Sequence, residues 1–198
     1  MTAEPPLKLA LIIGSTREGR FGTTVADWIL DHVRRREDLS VDVIDLADVP
    51  LPTVQQATPV VTGVYPSPDV RAFARRIGEA EGFIVVTPEY NHGYPASLKL
   101  AIDSVYVDWN AKPVAFVSYG GLSGGSRAIE QLRQVFAEVH AATIRETVCF
   151  AMAHSQFDEH GRLRNPDGPD LAAKSLLDQL TWWAGALRDK RAKHVYNA

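Results

Sequence analysis

The chain has 198 residues, 45% of them hydrophobic, with 21 basic and 24 acidic side chains and a formal net charge of −3. That length suits one domain over residues 1–198 with a real core, and the balanced charge speaks against a general binder of nucleic acid or anionic membrane. No apolar run reaches the roughly 18–20 residues of a membrane span, the start MTAEPPLK lacks a charged segment followed by a long apolar one, and the single cysteine, Cys149, excludes an intrachain disulfide or a cysteine metal cluster, so a cytoplasmic protein with a buried, inert thiol is expected.

Residues 7–14, LKLALIIG, form a nearly continuous apolar run ending in glycine, the pattern of a strand covered on both faces. From Thr23 the positions Val25, Trp28, Ile29 and Val33 recur at helical spacing, and the basic run 34–36 suits the C-terminal end of that helix. VDVIDL (41–46) alternates as a strand does, whereas the proline-rich segment 47–68 has no clean period and reads as a surface excursion. A helix follows over about 68–80, then a buried strand at 82–90 and a proline-entered helix at 95–106. The run 112–121 is a fourth strand ending in glycines, 125–138 a helix, 142–152 a fifth strand and 154–168 a polar loop. A closing helix spans 169–190, with Trp182 and Trp183 expected in core or groove packing rather than at an interface.

Strands and helices alternating in this way imply a parallel α/β sheet covered on both sides. In such a sheet ligands sit beyond the carboxyl ends of the strands. The loops 14–22, 88–94 and 119–125 each follow a strand, so all three can converge on one crevice.

The first loop, in IIGSTREGRFGTT, matches neither G-x-G-x-x-G, because Ser15 and Thr16 follow Gly14, nor G-x-x-x-x-G-K-[ST], because Gly19 is followed by Arg20 and Phe21. Hydroxyls, two guanidiniums and glycines at the start of a helix favour an anion, with a terminal phosphate monoester fitting well and a solvated turn as the alternative. The second loop, TPEYNHGYPASLK, offers Tyr, His and Asn side chains suited to a planar heteroaromatic ring, or else a packed structural turn. Glu89 and His92 lack the partners a metal site needs. The third, SYGGLSGGSR, contains a formal G-x-S-x-G match centred on Ser123. Against a nucleophile there, YGGL separates Ser123 from the strand, and His140, His154, His160 and His194 provide no persuasive base. Gly120 and Gly121 instead allow backbone N–H groups close to a ligand edge, with Tyr119 beside it.

In order, GSTREGR, PEYNHGYPASLKLAID and SYGGLSGGSRA resemble the NADPH-dependent FMN reductase family of flavodoxin-like proteins, which also includes quinone, azo-dye and chromate reductases. The resemblance implies a three-layer sandwich around a five-stranded parallel sheet of order 2-1-3-4-5. It implies that Ser15, Arg17 and Arg20, with backbone groups through Phe21 and Gly22, hold the FMN phosphate. Pro88, Glu89, Tyr90, Asn91 and His92 would border the ribityl chain and ring, and Tyr119, Gly120, Gly121 and Ser123 the pyrimidine edge, where donors stabilise the charge of reduced flavin.

It further implies hydride transfer from NADPH or NADH to FMN and on to a small-molecule acceptor by a ping-pong route, with the cofactor carrying the chemistry and no catalytic side chain or metal. Tyr94, Tyr106 and Trp109 are candidates for walling the nicotinamide or acceptor, with core or interface packing equally open. A homodimer or homotetramer is expected, although Leu100 departs from the asparagine many relatives carry on a helix that tends to lie at a subunit interface. The rival readings are a flavodoxin-type electron carrier, a class usually strongly acidic, and a serine hydrolase using Ser123.

Overall fold

A computed structural model describes residues 5–196. Five strands, β1 (Leu7–Ile13), β2 (Leu39–Asp45), β3 (Gly82–Pro88), β4 (Pro113–Tyr119) and β5 (Ala142–Phe150), form one parallel sheet in the order β2-β1-β3-β4-β5. This is the flavodoxin-like doubly wound order, whose switch point lies between β1 and β3.

The period of two along each strand builds two cores. Leu9, Leu11 and Ile13 of β1, with Ile84, Val86, Ala115 and Val117, face α1 (Gly22–Arg34) and the long closing helix, while Ala10, Ile12, Phe83, Val85, Val114 and Phe116 face the other layer. That second layer holds α2 (Pro68–Glu79), α3 (Ala96–Ser104) and α4 (Ser126–Glu138). Tyr119, the last residue of β4, falls on the α1 face. Its ring is thereby aimed at the start of α1.

Local chemistry explains the helix ends. Ser67 accepts a hydrogen bond from the Val70 N–H and Pro68 opens α2, the expected start of a helix. The buried Lys112 ammonium donates to the carbonyls of Ile77, Gly78 and Asp108, each at 2.8 Å, and closes the other end. Burial pushes its pKa down to about 8.

Several expectations are corrected. The helix foreseen over 95–106 stops at Ser104, and a short 3₁₀ turn, Val107–Trp109, follows. Trp109 is fully buried, with its indole N–H on the Ile102 carbonyl at 3.3 Å. Tyr94 and Tyr106 are partly buried and pack against the same core. The polar stretch 154–168 contains the end of α5 (Ala153–Gln156) and the start of α6 (Asp167–Lys193). Cys149 is exposed, not buried, because β5 is an edge strand covered mainly on the α6 face, where Ile144, Val148 and Phe150 lie. Trp182 and Trp183 are 66% and 39% exposed, outside the core. Among the described residues no helix is long and apolar enough to cross a membrane.

Candidate functional site

The loops that leave β1, β3 and β4 do converge. With a fourth segment after β5 they enclose a cavity of about 600 Å³ at the carboxyl edge of the sheet. Its volume lies in the range of small-molecule and cofactor sites.

The β1–α1 loop forms one wall through Arg17, Glu18, Gly19, Arg20 and Phe21. Ser15 is fully buried beneath them, sharing a 2.7 Å hydrogen bond with the Tyr90 hydroxyl and accepting from the Arg17 N–H at 3.3 Å. Arg17 is exposed, and no hydrogen bond or ion pair holds its guanidinium among the described residues. Arg20 instead forms an ion pair with Asp45. The N-cap of α1 is Phe21, which supplies no side-chain acceptor, and the first turn has no acidic residue, so the leading N–H groups and the positive helix end stay uncompensated. Gly22 permits the close approach of β4: a Cβ there would sit 2.6 Å from the Tyr119 hydroxyl oxygen.

Two buried side-chain atoms without a hydrogen-bond partner stand out among the described residues, Arg20 Nε and Tyr119 Oη. Both belong to residues lining this cavity. Buried polar groups are nearly always satisfied, so such a pair marks a place where a polar group belongs. Burial raises the Tyr119 pKa well above the usual phenol value, so the hydroxyl stays a donor.

The β3–α3 loop is arranged differently. Pro88, Glu89 and Tyr90 line the cavity; Asn91 and His92 do not. Tyr90 and Gly93 exchange backbone hydrogen bonds of 2.8 and 2.9 Å across a two-residue turn, whose residues Asn91 and His92 take φ of 50° and 70°. A turn with both central residues left-handed joins antiparallel partners tightly but strains a residue with a side chain. External contacts hold it. The Glu89 carboxylate, 7% exposed, accepts from Arg127 Nε at 2.9 Å and from the Arg127 backbone N–H at 3.2 Å, capping α4. Arg127 Nη1 lies 2.5 Å from His92 Nε2, and a guanidinium can only donate there.

The β4–α4 loop contributes Tyr119, Gly120 and Gly121 to the cavity, but not Ser123. Ser123 Oγ accepts from the Gly125 N–H at 3.4 Å, and among the described residues no histidine is hydrogen-bonded to it. Six residues, 120–125, separate Tyr119 from the first residue of α4, so Ser123 does not sit where a strand passes directly into a helix.

The fourth wall, Met152 to Ser155, was not anticipated. The N–H groups of Met152 and Ala153 donate to the carbonyls of Gly121 and Gly120 at 2.8 and 3.1 Å, tying it to the third loop. The His154 ring lies 4.5 Å from the Phe21 ring. Reading the last strand through residue 152 concealed this segment, yet its position directly after a parallel strand is the signal that identifies it. No cluster of three or more His, Cys, Asp or Glu side chains able to hold a metal occurs among the described residues.

Residues 7–155 match the profile of the NADPH-dependent FMN reductases. An NAD(P)H-dependent FMN reductase of Schizosaccharomyces pombe is 40% identical over 130 residues, covering 65% of this chain and 64% of that protein. An NADPH:quinone oxidoreductase of Arabidopsis thaliana is 34% identical over 167 residues, covering 81% of this chain and 83% of the relative. Among solved structures, the flavoenzyme NAD(P)H:(acceptor) oxidoreductase FerB of Paracoccus denitrificans superposes with a TM-score of 0.69 over 91% of this chain and 98% of its own, at 18% identity.

Proposed function

The chain belongs to the NADPH-dependent FMN reductase family, and on that premise we propose that it is an NAD(P)H-dependent oxidoreductase with FMN in the cavity at the carboxyl edge of the sheet. The observation that carries this reading is the pair of orphaned polar atoms, Arg20 Nε and Tyr119 Oη, beside an uncapped helix N-terminus. An oxygen-rich anion on a flat, apolar-faced ligand matches that chemistry, as FMN is.

In this reading Ser15, Arg17 and Arg20, with the N–H groups of Phe21 and Gly22, hold the phosphate. Pro88 and Tyr90 border the ribityl chain. Glu89, Asn91 and His92 shape the turn that presents them, through the α4 cap and the Arg127 contact. Tyr119, Gly120 and Gly121 offer donors to the ring's polar edge, with Ser123 fixing the turn behind them.

FMN, when bound, supplies hydride acceptance from NADPH or NADH and hydride donation to a quinone, flavin, azo or similar small acceptor, in ping-pong alternation. The chain contributes binding and orientation, and Phe21, Met152 and His154 wall one side of the cavity against water. No side chain is required as nucleophile.

Titration of the purified apoprotein with FMN, followed by flavin fluorescence, tests the binding; NADPH oxidation with varied quinone tests the chemistry. Saturable binding and parallel double-reciprocal lines are expected. Flavin loading without turnover on either pyridine nucleotide would point to an electron carrier instead. The same reading makes the protein a cytoplasmic homodimer or homotetramer, supported by the exposed indoles of Trp182 and Trp183. Sedimentation velocity checks the assembly.

A further inference from the structure

We propose that Asp45, which lies outside every loop of the cavity, is a positioning residue for the cofactor phosphate, holding Arg20 so that the free part of its guanidinium meets the anion. The inference rests on the FMN reading above and adds to it the residue that orders one of its two arginines.

The sheet register brings Asp45 there. Asp45 ends β2 and pairs in register with Ile13, the last residue of β1, and the Leu46 N–H donates to the Ile13 carbonyl at 3.2 Å. The carboxylate therefore sits beside the point where the phosphate loop begins. One of its oxygens accepts from the Ala47 N–H at 3.0 Å, and the other takes Arg20 Nη2. Both oxygens are committed, so the carboxylate is itself fixed. Arg20 and Asp45 are only 19% and 17% exposed at their side chains.

A guanidinium has five N–H donors in a planar fork. Asp45 occupies Nη2, while Nε is buried with no partner. A side chain anchored at one corner surrenders little rotamer freedom when an oxygen acceptor reaches the rest of the fork. Arg17 is the contrast, being exposed and untethered, so the ligand must order it.

Charge alone argues the other way. A carboxylate beside an anion site repels the ligand, and removing it would tighten binding. Orientation and charge thus predict opposite signs for the same substitution, and the sign decides between them.

The test is Asp45→Asn in the full chain, comparing apoprotein affinity for FMN with that for riboflavin, which shares the ring and ribityl chain and lacks the phosphate. Positioning predicts that FMN affinity falls about tenfold, in the range of one hydrogen bond to a charged group, while riboflavin affinity holds, so the preference for FMN drops about tenfold. Asp45→Glu keeps the charge but moves it by one methylene. It should lose part of the preference, and it carries the test if Asp45→Asn does not fold. An unchanged or increased preference for FMN in both variants overturns the proposal, as does an equal loss of both flavins, which marks a merely structural role. A wild-type chain with no preference for FMN over riboflavin overturns the phosphate reading itself.

Discussion

The loops 14–22 and 88–94 leave adjacent strands at one edge of the sheet, yet they spend their polar groups in opposite ways. In the second, the protein answers its own donors and acceptors: Tyr90 and Gly93 pair across the turn, Glu89 caps α4, and Arg127 meets both Glu89 and His92. In the first, among the described residues, the Arg17 guanidinium has no partner, Arg20 Nε is orphaned and the α1 N-terminus has no side-chain cap. A self-satisfied loop is a shaped surface; a loop with unanswered donors is a binding site. The difference lies in what each loop still lacks, and residue content alone does not reveal it.

The sharpest way to break this comparison is Glu89→Ala. It strips the cap from α4 and removes the Arg127 ion pair, leaving that guanidinium only its His92 contact, so the apoprotein should lose about 2–3 kcal/mol of unfolding free energy in a denaturant melt. Unaltered stability would mean that the second loop is not holding structure in place.

Arg17→Ala is its mirror. Arg17 is exposed and untethered, so apoprotein stability should stay within about 0.5 kcal/mol, while FMN binding weakens by about 1.5–3 kcal/mol in a fluorescence titration. A destabilised apoprotein with full FMN affinity would exchange the roles of the two loops.

The smallest effect concerns the side-chain bond that joins them. Ser15→Ala removes the 2.7 Å link to the Tyr90 hydroxyl and should cost about 1 kcal/mol of stability, read as a lower denaturant midpoint. A cost well above that would mean the loops are one mechanical unit.

Much of the fold was legible because apolar runs and helical periods alternate cleanly, and a parallel sheet with two covered faces follows from that alternation. Burial at the sheet margin was not. β5 alternates Ile144, Val148 and Phe150 with Thr143, Arg145 and Thr147, and its edge position leaves Cys149 on the solvent side, although the run VCF taken alone reads as core. Trp182 and Trp183 likewise follow on from a buried helical face without belonging to it.

At the site, the three loops were visible as glycine, tyrosine and arginine clusters after strands. Their division of labour was not, because it depends on partners far along the chain. Glu89 and Arg127 are 38 residues apart and Arg20 and Asp45 are 25 apart, joined only by the sheet order and register. The Met152–Ser155 wall was missed for a local reason, since the apolar run through Met152 looks like continued strand although Met152 takes a left-handed φ of 47°.

The most direct test of the central claim is an anaerobic spectrum of the FMN-loaded protein. Added NADPH should bleach the flavin absorption band, and a quinone added next should restore it, without either step needing the other reactant present. A protein that takes up no FMN, or whose bound flavin keeps its colour with both NADPH and NADH, would contradict the account.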